Sequence, residues 1–125
     1  MNAERRHEIE NLINETEELR RQVDIKLDGG DPKYKDSVEW QRAIADLTDK
    51  ITDLATEERD VLEASEADGH KENEEYDSLM GAVVHLEHAL EDCNAALDAI
   101  ADDDDFEEAQ EGLTSAVDQL TKAIN

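Results

Sequence analysis

Cysteine, proline and aromatic residues are nearly missing from this sequence, and each scarcity closes off a class of protein. A lone cysteine, Cys93, allows neither an intramolecular disulfide nor a cysteine-based metal cluster. The aromatic residues are Tyr34, Trp40, Tyr76 and Phe106, too few for the aromatic and β-branched strands of a sandwich or barrel. With Pro32 as its one proline, the chain has long stretches in which nothing interrupts a helix. No run approaches the roughly 18 uninterrupted apolar residues of a membrane span. The opening Met1-Asn2-Ala3-Glu4-Arg5-Arg6 is charged, unlike an apolar leader. A soluble, cytoplasmic protein is expected. Glycine-rich phosphate loops, a serine nucleophile elbow and zinc motifs are all missing, so neither catalysis nor a cofactor is expected.

Basic residues are the other shortage. Twelve Lys and Arg face 36 Asp and Glu, for a net charge of −24. Binding to nucleic acid or to an anionic membrane needs cations against phosphate, so direct binding of either is excluded as an expectation. The imbalance is also uneven. Residues 1–35 carry nine acids and seven bases, residues 36–72 twelve and four, and residues 73–125 fifteen acids and only Lys122. A net magnitude of roughly 2–8 keeps a small domain soluble, so the surplus needs another explanation. Its carboxylates repel one another, and the C-terminal half has almost no cations to pair with them along its own helices.

Charge of this size is compatible with disorder, but the apolar residues are periodic. Ala, Leu, Glu and Asp dominate, which favours helix. The first segment runs from about Asn2 to Leu27, with Ile9, Leu12, Ile13, Thr16, Leu19, Val23 and Leu27 on one stripe. It stops at Asp28-Gly29-Gly30-Asp31-Pro32. The second, Ser37 to Ser65, carries a heptad seam of Trp40, Ile44, Leu47, Ile51, Leu54, Glu58 and Val61, with Asp36 and Glu39 spaced as a capping pair. Ala67-Asp68-Gly69-His70 ends it. The third follows Asn73 as N-cap and carries Tyr76, Leu79, Val83, Leu86, Leu90, Cys93, Leu97 and Ile100. The fourth starts near Asp105, paired with Glu108 as a cap, and carries Phe106, Ala109, Leu113, Ala116, Val117, Leu120 and Ile124.

Short connections make sequential helices antiparallel neighbours. The expected fold is therefore all-α: one domain over 1–125, an elongated antiparallel bundle of four helices with coiled-coil-like packing. A leftover apolar stripe would also permit a homodimer.

The densest acidic feature is Asp102-Asp103-Asp104-Asp105 with Glu107, Glu108 and Glu111. Acids at a helix start suit the positive end of its dipole, but that accounts for only two or three of the seven. With Glu87, Glu91, Asp92 and Asp98 on the preceding segment, these residues form the candidate partner-binding surface. They do not fit a calcium loop: counting from Asp102, the sixth position is Glu107 where an EF-hand needs glycine. His85 and His88 are three apart, but a seam through Val83, Leu86 and Leu90 turns both outward, so no metal site is expected. Cys93 and Trp40 fall on apolar seams and are read as core residues, with a partner hot spot as the lesser reading for Trp40.

Spread along a rod of about 45 Å, the net charge amounts to one per roughly 1.9 Å, close to the one per roughly 1.7 Å of duplex DNA. The sequence thus predicts a non-enzymatic acidic protein that occupies the basic nucleic-acid-binding surface of a partner protein or complex. It would act as a DNA or RNA mimic, as phage inhibitors of CRISPR or restriction systems do as a class, in the host cytoplasm if phage-encoded. The alternative is a helical adaptor or chaperone working through its apolar seams. General adaptation to salt would also make a chain acidic, but the near-balanced first 35 residues speak against it.

Overall fold

The computed structural model describes residues 3–67, 69 and 74–124. These form four helices: α1 (Ala3–Leu27), α2 (Ser37–Ala67), α3 (Glu74–Asp103) and α4 (Phe106–Ala123). Asn2, Asp68, His70 and Asn73, each expected at a helix end, lie outside the described residues.

Residue pairing across the seams sets the direction of every helix. Arg5 meets Glu57 and Glu58 while Lys50 meets Glu15, so numbers rise along α1 as they fall along α2. The same inverse relation holds between α2 and α3, where Tyr76 bonds Glu66 and Arg59 bonds Glu87. It recurs between α3 and α4 through His85 and Gln119, and between α1 and α4 through Asp24 and Gln110. Among the described residues, α1 and α3 make no close backbone approach, nor do α2 and α4. The four helices therefore stand at the corners of a square, each antiparallel to both of its neighbours.

The core follows the three-four spacing. All four helices contribute to one apolar body that includes Ile9, Val23, Trp40, Ile44, Ile51, Leu86, Ile100, Leu113 and Leu120, every one essentially inaccessible to water. Burying a side chain of this size contributes about 1.5–3 kcal/mol, which holds the bundle against its own charge repulsion. A smaller cluster of Leu62, Tyr76, Leu79 and Val83 closes the end where α2 meets α3. At the opposite end Trp40 packs between Tyr34 and Phe106, with ring centroids 5.0 and 5.2 Å away. Three of the four aromatics thus fasten the α1–α2 loop to the starts of α2 and α4.

The helix ends have local causes. α1 terminates where Gly29 takes φ +80 and the Gly30 N–H reaches the Ile25 carbonyl at 2.8 Å. α2 starts on Asp36, whose carboxylate accepts the Glu39 N–H at 2.8 Å. Glu39 returns the bond to the backbone of Lys35, one residue before the expected capping-box partner.

Several positions depart from the expected stripes. Leu27, the last residue of α1, is 40% exposed. Leu62 enters the core, whereas Val61 is only half-buried. On α3, Ala89, Cys93 and Ala96 are buried as fully as Leu86 and Ile100, with Leu90 and Leu97 at the flanks. The reason is the close approach of α4: a Cβ added to Gly112 would lie 2.8 Å from the Asp92 carbonyl oxygen and 3.3 Å from the Ala96 Cβ. No side chain fits at Gly112 without a shift. α1 and α2, although consecutive, pack least closely of the four neighbouring pairs.

Candidate functional site

The proposed acidic residues lie on α3, α4 and the tight link between them. Glu91, Asp98 and Asp102 share the outer stripe of α3, and all three are exposed. Asp103 ends α3. Asp104 makes the reversal in the left-handed region, at φ 49, with its N–H on the Ile100 carbonyl at 3.2 Å. Aspartate tolerates this conformation better than most residues, although glycine would adopt it at no steric cost. Asp105 is the α4 N-cap, its carboxylate accepting the Glu108 N–H at 3.1 Å. Glu107 and Glu108 follow in the first turn, at the positive end of the helix dipole. Glu111 is one turn further and exposed.

The tight link brings Asp98, Asp102, Asp103, Asp104, Glu107, Glu108 and Glu111 to one end of the α3–α4 edge. None of them forms an ion pair among the described residues. Lys26 approaches this end, its ammonium 4.9 Å from the centroid of the Phe106 ring. A cleft of about 470 Å³ adjoins it, lined by Asp24, Leu27, Asp28, Glu107, Gln110 and Glu111.

Two of the eleven proposed residues stand apart. Glu87 is half-buried and pairs with Arg59 of α2, so its charge is compensated. Asp92 is half-buried on the α4 side of α3, where its carbonyl faces Gly112. The remaining candidate on α3, Glu91, is exposed and lies two helical turns from Asp98.

The α1–α2 half treats its charge differently. Arg5 pairs with Glu57 and Glu58, Arg6 with Glu10, Arg21 with Glu18, Lys35 with Asp31, and Lys50 with Glu15. Hydrogen bonds from Arg21, and then from Gln22, hold the Glu18 carboxyl down at about 2. Glu58 is fully buried with Arg5 at 3.2 Å. Burial pushes its carboxyl above the usual range, and the Arg5 charge partly offsets that. Sequence spacing marked Glu58 as a polar interruption but gave no sign of its partner, 53 positions away.

Other reactive groups are held inside. Burial pushes the Cys93 thiol up to about 12, so it stays protonated and closed off from solvent. His85 differs from its expected outward position: it is half-buried, with Nδ1 2.8 Å from Gln119 Oε1 on α4. Its ring lies 6.4 Å from that of exposed His88. Among the described residues, no three His, Cys, Asp or Glu side chains are grouped to hold a metal ion. Nor is any helix among them long and apolar enough to cross a membrane.

Comparisons with protein-family models, with curated proteins and with solved structures give no match.

Proposed function

We propose that the protein is a non-enzymatic inhibitor that places its acidic α3–α4 end in a basic nucleic-acid-binding surface of a partner, in the manner of an anti-CRISPR or anti-restriction protein. One observation carries the reading: seven exposed carboxylates lie at one end of the α3–α4 pair without an ion pair among the described residues, whereas the α1–α2 half pairs much of its charge. Such an edge offers a basic groove a fixed array of negative charge. Docking would return to the partner's Lys and Arg the neutralisation that phosphate gives them. The long-range field would steer the encounter, making association fast and weaker in salt. The site would be the cytoplasm of the cell in which the partner handles nucleic acid.

The test is competition. Purified RNA-guided and restriction nucleases are loaded with a fluorescent duplex, and its displacement is followed as the protein is added. The protein is expected to displace the duplex from a susceptible nuclease, with lower affinity as salt rises. Lysine at Asp102, Asp103, Asp104, Glu107 and Glu108 together should abolish displacement while far-UV circular dichroism is unchanged. Displacement that survives this reversal rules the edge out as the effector.

The adaptor reading draws on a different observation. Met80 and Val84, one turn apart on the outer side of α3, are each 40% exposed. A partner held there would survive high salt and be released by Val84→Ser, an outcome that assigns the function to the apolar stripe.

A further inference from the structure

α1 outruns α4, the neighbour it packs against more closely. The two helices are antiparallel, and Asp24 meets Gln110. α4 ends at Ala123, about 13 positions beyond Gln110, so at the rise shared by all α-helices that end comes level with about Asn11 of α1. Residues 3–10 therefore run past the end of α4. Among the described residues the helix left beside them is α2, across the least closely packed of the four seams. This overhang covers Glu58. On the seam of α2, Glu58 stands between Leu54 and Leu62, and it is buried more completely than either.

The counter-ion of Glu58 belongs to the overhang: Arg5 places its Nε 3.2 Å from Glu58 Oε1. Neither carboxylate oxygen accepts a hydrogen bond among the described residues. A single ion pair offsets only part of what a carboxylate loses on leaving water, and the deficit grows where no further donors reach its lone pairs. Lifting residues 3–10 returns water to Glu58 while leaving the α1–α4 seam and the connecting loops in place. Opposing that movement is the burial of Ile9, the one fully buried side chain in the segment. We propose that residues 3–10 form a lid that opens as a unit while the four-helix body stays folded, and that the buried Glu58 keeps its closed state only marginally favoured. The α3–α4 link lies at the opposite end of the bundle, where Phe106 meets Trp40, and is untouched by the opening.

Native-state hydrogen exchange, read by NMR at one pH and a series of low urea concentrations, tests the lid. The amides of residues 7–10 are expected to exchange at least about tenfold faster than those of residues 16–23, with little dependence on urea, because a local opening exposes little surface. Arg5→Met together with Glu58→Leu replaces the ion pair by apolar side chains and should slow residues 7–10 about tenfold. Glu58→Gln, which keeps the shape and removes the charge, should slow them less. Ordinary fraying of a helix end responds to neither variant. The lid is overturned if residues 7–10 share the urea dependence of residues 16–23, since they then open only with the whole bundle. It is equally overturned if neither variant slows their exchange. Urea unfolding establishes that both variants fold, and Glu58→Gln alone decides should the double variant not do so.

Discussion

The two halves of this bundle solve the same problem in opposite ways. α1 and α2 carry both signs of charge, pair them across and along the helices, and pack loosely enough to leave a groove. α3 and α4 carry almost no cations, pack through alanine, glycine and cysteine, and place their carboxylates outward. Electrostatic compensation and close packing are thus alternative sources of cohesion. Helices as crowded with like charge as α3 and α4 need the second, because the first is not available to them.

The comparison can be broken most decisively by moving the lysine reversal from one half to the other. On α3–α4 it should reduce competition with duplex by at least about 100-fold, since several charge contacts are inverted at once. Lysine at Glu17, Asp49, Asp53, Asp60 and Glu63, all exposed on α1 and α2, changes net charge equally and should cost far less. Equal losses from the two sets would mean that total charge matters and position does not.

Stability measurements sharpen the contrast. Arg5→Ala strands the buried Glu58 and should cost about 3 kcal/mol in urea unfolding at pH 7, near the lower end of what breaking a buried pair costs. A loss of a few tenths would show that the α1–α2 half does not depend on this pairing. On the other half, Gly112→Ala should destabilise by about 1–3 kcal/mol, because its methyl group meets the Asp92 carbonyl at 2.8 Å. Gly81→Ala on α3 meets nothing within 4 Å and should instead stabilise by about 0.5–1 kcal/mol. If both glycines behave alike, close packing does not distinguish the α3–α4 seam.

The smallest effect expected is one of slope. Glu58 titrates above its unfolded value of 4.5 because burial disfavours its charge. In the pH window from that value up to the raised folded one, the native state holds more protons than the unfolded state, so stability falls as pH rises. Glu58→Gln should flatten this part of the stability curve relative to the parent. Glu18 acts in the opposite sense, its contribution being present above 4.5 and lost as pH falls toward about 2. A parent and a Glu58→Gln variant with parallel curves from pH 4.5 to 7 would show that the carboxyl is not perturbed.

The readable part of the fold was carried by period and punctuation. Ile9, Leu12, Thr16, Leu19 and Val23 mark the buried side of α1, and Gly29 its end, because local geometry alone decides both. The Asp36 and Asp105 caps were legible for the same reason. The acidic cluster was visible as composition. Its division into exposed residues and the compensated Glu87 was not, since Arg59 reaches Glu87 only across the α2–α3 seam. The inward turn of His85 was likewise hidden, because the seam through Val83, Leu86 and Leu90 faces α2 and α4 at once.

By itself the sequence determined that this chain would be four amphipathic helices with their acids gathered toward the C-terminal half. Helical period and cap chemistry are written in neighbours three and four residues apart. Tertiary structure decided which carboxylates keep a partner, where small residues let two helices close, and that α1 and α2 leave a groove. Those outcomes depend on distances between residues far apart in the chain, which become defined only when the helices pack.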